Sequence, residues 1–186
     1  MLVLDFSEFP VLETERLLLR EHRLSDAEIL FDMRTNEEVM RYINRPRPKG
    51  LQDVKDLIAL IQKNTLAGKS LPWVMALKDR PEQMIGSIGY WRIDSDNHRG
   101  EFGYMLHPDY WRQGFTSEAA NKTLAFGFET IGLHSMQAII SPDNDASRQL
   151  LLKHGFVKEA YFKQDYYFNG QFLDSEIYSL LTPLKD

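Results

Sequence analysis

Residues 107–119 read HPDYWRQGFTSEA and join a strand-like segment, 99–106, to a segment whose apolar residues recur every four positions. The start of a helix leaves several backbone N–H groups without partners and carries a partial positive charge. An anion such as a pyrophosphate can bind there without basic side chains, and Gly114 would let the backbone approach it closely. The alternative is an ordinary loop in which Thr116 or Ser117 caps the helix.

Outward from this stretch, the pattern of apolar residues predicts alternating blocks of helices and strands. The preceding elements are a strand over 15–21, helices near 26–34, 36–43 and 51–68, and antiparallel strands over 71–77, 84–93 and 99–106. The following elements are a helix over 117–131, a strand over 136–140, a helix over 143–154, and a hairpin of 156–168 with 172–181. The order β-α-α-α-β-β-β-α-β-α-β-β predicts a mixed α/β (α+β) fold, with helices flanking a central twisted sheet of about seven strands.

Length and composition limit the classes of protein that are compatible with this chain. The 186 residues fit one domain, 1–186, and we expect a cytoplasmic protein because no apolar run is long enough to cross a membrane. The net charge of −5 argues against nucleic acid as a partner, and we interpret the basic run 41–49 as a solvated loop. The chain has no cysteine, and its five scattered histidines indicate no metal site.

A second motif supports the interpretation of the first. Residues 144–147 read NDAS after a buried strand, and residues 153–156 read KHGF at the end of the next helix. In this order, the two motifs resemble those of the GNAT superfamily of acetyl-CoA-dependent N-acetyltransferases. The segments 12–20 (LETERLLLR) and 101–104 (EFGY) are similar to its RimJ/RimL branch, which includes ribosomal-protein N-terminal acetyltransferases. The likeness covers about residues 11–182, nearly the whole chain.

The resemblance implies a GNAT-like sheet and acetyl-CoA as the co-substrate. The phosphate loop of the family, Gln/Arg-x-x-Gly-x-Gly/Ala, falls here on Trp111, Gly114 and Thr116, so the first and last side chains depart from the pattern. Because such a loop binds through backbone amides, the cofactor assignment does not depend on these side chains. The implied cofactor-binding residues include Met105, whose amide would meet the thioester oxygen where two strands of the family separate. The full set is Met105, Arg112, Gln113, Gly114, Phe115, Thr116, Ser117 and Asn144.

The resemblance also indicates candidate groups for proton transfer. Many family members have a tyrosine seven residues after the motif asparagine that protonates the leaving thiolate, but this chain has Leu151 there. Ser147, which RimL-like members carry at the matching position, becomes the candidate acid, with a helix-capping serine as the alternative. Glu101 matches a glutamate of that branch and is the candidate base, with an ion pair to Arg92 or Arg99 as the alternative. Other residues that could line the acceptor pocket precede the last hairpin turn: Asp165, Tyr166 and Tyr167.

These observations predict an enzyme, monomeric or homodimeric, that moves an acetyl group from acetyl-CoA directly to a primary amine. The acceptor is either a protein or peptide N-terminus, favoured by the RimJ/RimL likeness, or a small amine. Aromatic residues near the end of the chain could enclose a small acceptor: Tyr161, Phe162, Tyr166, Tyr167 and Phe168. The acidic net charge favours a basic polypeptide partner through electrostatic steering. The alternative from another class is a non-catalytic acyl-CoA-binding module, which the missing tyrosine keeps open.

Overall fold

The computed structural model describes residues 1–182 as an eight-stranded sheet flanked by helices. In chain order the elements are β1 (Leu12–Glu13), β2 (Leu17–Arg20), α1 (Ala27–Thr35), α2 (Glu37–Met40), α3 (Leu51–Leu66), β3 (Leu71–Leu77), β4 (Arg80–Asp94), β5 (Arg99–Leu106), α4 (Phe115–Phe126), β6 (Ser135–Ile140), α5 (Asp145–Lys153), β7 (Val157–Phe168) and β8 (Gln171–Leu181). None of the helices in residues 1–182 combines the length and the apolar character that a bilayer crossing demands.

The strands lie in the order β1-β2-β3-β4-β5-β6-β8-β7 across the sheet. Every neighbouring pair is antiparallel except β5 and β6, which run parallel. The predicted order of elements and the predicted mixed sheet are confirmed. The eighth strand is the two-residue β1, which is too short to give a periodic signal in the sequence.

The two faces of the sheet are covered by different helices. On one face, α4 and α5 pack on a cluster that includes Trp73, Tyr90 and Phe102. On the other face, α1 and α3 pack on a smaller cluster that includes Val74 and Met84. The helices cover the central strands, whereas most residues of the edge strand β7 are exposed.

Candidate active site

The gap between β5 and β6 is the central feature of the site. The two strands pair only where residues 99–101 face residues 135–137. β5 then continues to Leu106 while pairing with β4 alone, so its edge from Phe102 onward lines an opening. Met105 lies in this stretch, and its side chain packs against the cluster of α1 and α3. The structure therefore contains the strand separation that the resemblance implies.

The loop that follows β5 presents the N-terminal end of α4 to this gap. Gly114 is the N-cap residue with φ of +82°, and Arg112 is also left-handed with φ of +59°. The first bond within the helix runs from the N–H of Glu118 to the carbonyl of Gly114 at 3.0 Å. The N–H groups of Phe115, Thr116 and Ser117 therefore have no acceptor inside the helix. The alternative in which Thr116 or Ser117 caps the helix is wrong, because the helix begins at Phe115 without a side-chain cap.

Gly114 is uncrowded on the side where a side chain would stand. A Cβ atom added to Gly114 would meet only Nη2 of Arg16, at 3.5 Å, an ordinary contact distance. Glycine is thus required by the left-handed φ and not by crowding. The aromatic ring of Phe115 is buried in the core, so this residue offers its backbone N–H and not its side chain. Arg112 and Gln113 are exposed.

An interaction with the N-terminal segment fixes this loop. The guanidinium of Arg16 donates from Nη1 to the carbonyl of Gln113 at 3.0 Å and from Nε to Glu118 at 2.7 Å, and lies 4.2 Å from the ring centroid of Phe115. The hydroxyl of Thr14 donates to the same carboxylate at 2.5 Å. Burial alone would raise the pKa of Glu118, but the hydrogen bonds from Thr14 and Arg16 hold that pKa below its usual value. Glu118 is therefore ionised, which favours its place in the first turn of α4.

The end of α5 also contacts the loop. The hydroxyl of Ser117 lies 3.0 Å from Nε2 of His154, which caps the C-terminus of α5. Burial and the charge of Lys153 lower the pKa of His154, so the ring is neutral at pH 7. This contact joins the two sequence motifs, 107–119 and 153–156, in space.

Ser147 and Tyr104 form a hydroxyl pair beside the gap. Ser147 is buried in the first turn of α5, and its Oγ lies 2.5 Å from the Oη of Tyr104 on β5. Burial raises the pKa of Tyr104 to about 12, while the hydrogen bond with Ser147 acts in the opposite direction. Tyr104 therefore keeps its proton at neutral pH. The N-cap of α5 is Asn144, whose Oδ1 accepts from the N–H of Ser147 at 3.1 Å.

Leu151, at the position of the family tyrosine, belongs to the core. Its side chain is 1% exposed and lies in the same cluster as Phe156 and Tyr178. Tyr104 was not predicted as a functional residue, although it stands within the quoted segment 101–104. The only local signal is its alternation with the buried Phe102, which places both side chains on the α5 face of β5.

Glu101 and Ser147 lie on opposite faces of the sheet. Phe102 stacks on Phe156 and Tyr104 reaches Ser147, so by strand alternation Glu101 points to the face of α1 and α3. Glu101 stands at the last paired position of β5 and β6, about 13 Å along the strand from Met105 at ~3.3 Å per residue. Within residues 1–182, neither Arg92 nor Arg99 forms an ion pair with it. The structural ion pair that was the alternative for Glu101 is therefore absent from the described part of the chain.

The last hairpin contacts the loop before α3. The hydroxyl of Tyr166 donates to the carbonyl of Asn44 at 2.8 Å, and Nη1 of Arg45 lies 3.5 Å from that hydroxyl. Asp165 and Tyr167 are exposed. In residues 1–182 no group of three or more potential metal-ligand side chains is found.

Comparisons with known proteins agree with this geometry. A family model described as "Acetyltransferase (GNAT) domain" matches residues 16–157. The chain is 36% identical over 175 residues to "Uncharacterized N-acetyltransferase YoaA" of Bacillus subtilis (strain 168), a match that covers 94% of this chain and 98% of that protein.

Solved structures have the same fold. A GNAT-family acetyltransferase from Bacillus anthracis superposes with a TM-score of 0.80 at 27% identity, covering 92% of this chain and 98% of that chain. The ribosomal alpha-N-protein acetyltransferase RimL, in complex with coenzyme A, superposes with a TM-score of 0.82 at 18% identity, covering 92% and 98% of the two chains. The family model over residues 16–157 and the 36% identity to YoaA establish that the chain belongs to the GNAT family of acetyltransferases.

Proposed function

We propose that this GNAT acetyltransferase transfers the acetyl group of acetyl-CoA directly to the α-amine of a peptide or protein N-terminus. The observation that carries the proposal is the gap between β5 and β6, which opens beside both the uncapped end of α4 and the Ser147–Tyr104 pair. The likeness to the RimJ/RimL branch supports the choice of acceptor, because RimL acts on a protein N-terminus.

The residues around the gap fit acetyl-CoA. The N–H groups from Phe115 to Ser117 and the positive end of the α4 dipole suit a pyrophosphate. Arg112 and Gln113 complete the loop around it. The chain of the cofactor then enters between the strands, so that the amide of Met105 meets the thioester oxygen. Asn144 borders the same opening at the start of α5.

Direct transfer requires the movement of two protons. The amine nitrogen attacks the thioester carbonyl carbon, the C–S bond breaks, the nitrogen loses a proton and the sulfur gains one. An α-amine has a pKa of about 8, so it gives up its proton more easily than a lysine side chain, whose pKa is about 10.4. We assign the acid to Ser147, with its proton supplied through Tyr104, and the base to Glu101.

Replacing the hydroxyl of Ser147 is expected to slow the chemical step. Ser147→Ala should lower kcat by about 10²-fold, the usual contribution of a positioned acid, with little change in the affinity for acetyl-CoA. Because the two hydroxyls act as one relay, Tyr104→Phe should give a similar loss, and the double variant should be no slower than the slower single variant. Steady-state kinetics and calorimetry with acetyl-CoA measure these effects.

The matched control is Ser70→Ala, which removes another buried serine hydroxyl just before β3. It should leave kcat unchanged. A negligible loss in Ser147→Ala would assign protonation of the thiolate to water instead.

Removing the charge of Glu101 is expected to affect proton removal from the amine. Glu101→Gln should lower kcat at least about tenfold, while the affinity for acetyl-CoA stays the same. Because Glu101 lies about 13 Å along β5 from Met105, it would act through a chain of several ordered waters. Glu129→Gln, an exposed acid in the turn after α4, is the matched control. Parallel losses of thermal stability and activity in Glu101→Gln would identify a structural role instead.

Exposure of the hairpin aromatic residues favours a polypeptide acceptor over an enclosed small amine. Tyr161, Phe162 and Tyr167 are 44%, 50% and 61% exposed, so they do not close a pocket. Tyr166 and Phe168, whose rings stack, are only partly covered. An acceptor site that is open on the side of these residues has room for a peptide that continues beyond its N-terminal residue.

The deciding experiment compares three classes of acceptor by acceptor-dependent release of CoA. These are a short peptide with a free N-terminus, the same peptide with its N-terminus blocked, and a panel of small amines. Turnover of the free peptide alone is the expected result. Activity on the blocked peptide or on small amines alone would overturn the choice of acceptor, and acetyl-CoA binding without any turnover would indicate a non-catalytic module.

A further inference from the structure

The loop from α2 to α3 brings several positive charges to the acceptor side of the gap. Near α1, Nε2 of His107, which follows β5, lies 3.2 Å from Oδ2 of Asp32 on α1. Across the opening, Tyr166 of β7 bonds to the carbonyl of Asn44. α1 thus contacts the segment that follows β5, and the loop after α2 contacts the last hairpin. Its cations, with the one at the end of α1, are Arg34, Arg41, Arg45, Arg47 and Lys49.

These cations have no carboxylate partners. Within residues 1–182, none of the five forms an ion pair. Arg34 donates instead from Nη2 to the carbonyl of Pro46 at 3.1 Å, and Arg47 donates from Nη1 to the carbonyl of Thr35 at 3.0 Å. These bonds hold the loop in place and leave other N–H groups of both guanidinium groups free. A guanidinium has five N–H donors, so each retains most of its capacity.

Arg34 and Arg45 lie in the same part of the loop, because Arg34 donates to the carbonyl of Pro46, the residue that follows Arg45. Burial, and then the charge of Arg45, lower the pKa of Arg34. An anion that binds beside both guanidinium groups would offset this repulsion. Tyr166 also faces this point, because Nη1 of Arg45 lies 3.5 Å from its hydroxyl oxygen.

Most nearby carboxylates that could neutralise these cations have other partners. Asp32 faces His107, and Asp174 accepts from the hydroxyl of Tyr161 and from the N–H of Gln164. Asp53 accepts from the backbone N–H of Lys49 and does not contact the side-chain ammonium. The remaining acids nearby are exposed and unbonded to the cations: Glu37, Glu38 and Asp165. Hydrogen bonds from neutral donors leave these carboxylates charged, so the region holds acids as well as cations. What it offers an anion is the set of unused guanidinium N–H donors of Arg34 and Arg45, and not an excess of positive charge.

We propose that the acceptor carries an anionic group within a few residues of its reacting amine, and that Arg34 and Arg45 bind that group. The inference rests on the proposed function and specifies its substrate as an acidic peptide N-terminus. It differs from the expectation of a basic partner that the net charge of the whole chain gives, because two arginines with unused N–H donors would select the group that binds beside the amine. Charge-assisted hydrogen bonds to a carboxylate or phosphate are the strongest that a guanidinium forms.

The test compares peptides of one length that have a free N-terminus and differ only at positions two to four. These positions carry three glutamates, three glutamines or three lysines. The wild-type protein should turn over the glutamate peptide with a kcat/KM about tenfold or more above that of the glutamine peptide, and the lysine peptide should be slowest. Arg45→Glu should reverse this order, and Arg45→Lys should largely preserve it.

Arg80→Glu is the matched control, because it makes the same change in net charge at an exposed arginine at the start of β4. It should leave the preference for the glutamate peptide intact. Equal rates on the three peptides, or the same loss of preference in Arg80→Glu, would overturn the anion site while leaving the proposed N-terminal activity in place.

A second set of acceptors separates the anion site from the proposed N-terminal activity. Rates are compared for free amino acids and for their amides, which differ only in one carboxylate next to the amine. If only small amines are acetylated, the peptide acceptor is wrong. A preference for free amino acids that is lost in Arg45→Glu would then still support the anion site, and equal rates on acids and amides would refute it.

Discussion

Gly114→Asp is expected to weaken the binding of acetyl-CoA by about 1,000-fold while the protein still folds. The new carboxylate would stand at the start of α4, where the N–H groups of Phe115, Thr116 and Ser117 face the proposed pyrophosphate. Two unit charges about 4 Å apart in a protein environment repel by about 4 kcal/mol, which corresponds to about 1,000-fold in affinity. The side chain itself has room, because an added Cβ meets only Arg16. Calorimetry with acetyl-CoA measures the change.

Two variants separate the effect of an added charge at position 114 from the effect of backbone strain at a left-handed φ. Gly114→Ala adds a Cβ at the same left-handed φ without a charge, so it should weaken binding far less than Gly114→Asp. Gly170→Asp introduces aspartate at φ of +83° in a hairpin turn with nothing within 4 Å, and it should leave acetyl-CoA binding unchanged. Unaltered affinity in a folded Gly114→Asp protein would refute the assignment of the phosphate loop.

The local pattern of apolar residues and turns was sufficient to predict most of the strands and helices. The strands over 71–77 and 99–106 have the predicted bounds, because their apolar residues and the turns beside them are all local features. The helix of α4 begins two residues earlier than predicted. A left-handed Gly114 at the N-cap replaces the side-chain cap that Thr116 or Ser117 would have supplied.

The site was predicted where its residues are close in sequence and missed where they are distant. The loop around Gly114 is one continuous segment, so its strand-to-helix position can be read directly. Arg16 contacts Glu118 from 102 positions away, and Tyr104 contacts Ser147 from 43 positions away. Such contacts depend on how helices pack across the sheet, and no spacing rule for a single element contains that information.

The same limit applies to charge. In the sequence, the run 41–49 resembles any solvated basic loop. Its relation to the gap follows only from the contact of Asn44 with Tyr166, 122 positions later in the chain. The net charge of the whole chain likewise includes charges on surfaces that do not face the proposed acceptor site.

Asp26→Asn is expected to destabilise the protein by about 3–5 kcal/mol, the usual effect of removing one partner from a buried ion pair. The side chains of Arg20 and Asp26 are 2% and 0% exposed, and they form two hydrogen bonds of 2.9 and 2.7 Å. Arg20 also donates to the carbonyls of Pro81, Glu21 and Glu82, so its charge cannot move to solvent when the carboxylate is lost. Denaturant unfolding measures the change in the free energy of unfolding.

The matched control is Glu82→Gln, which removes the charge of an exposed carboxylate that pairs with Arg23 at 2.6 Å. Exposed pairs contribute little, so the free energy of unfolding should scarcely change. Replacing both buried partners, as Arg20→Met with Asp26→Leu, should recover part of the loss, because no uncompensated charge then remains. Similar stabilities for Asp26→Asn and Glu82→Gln would contradict the prediction.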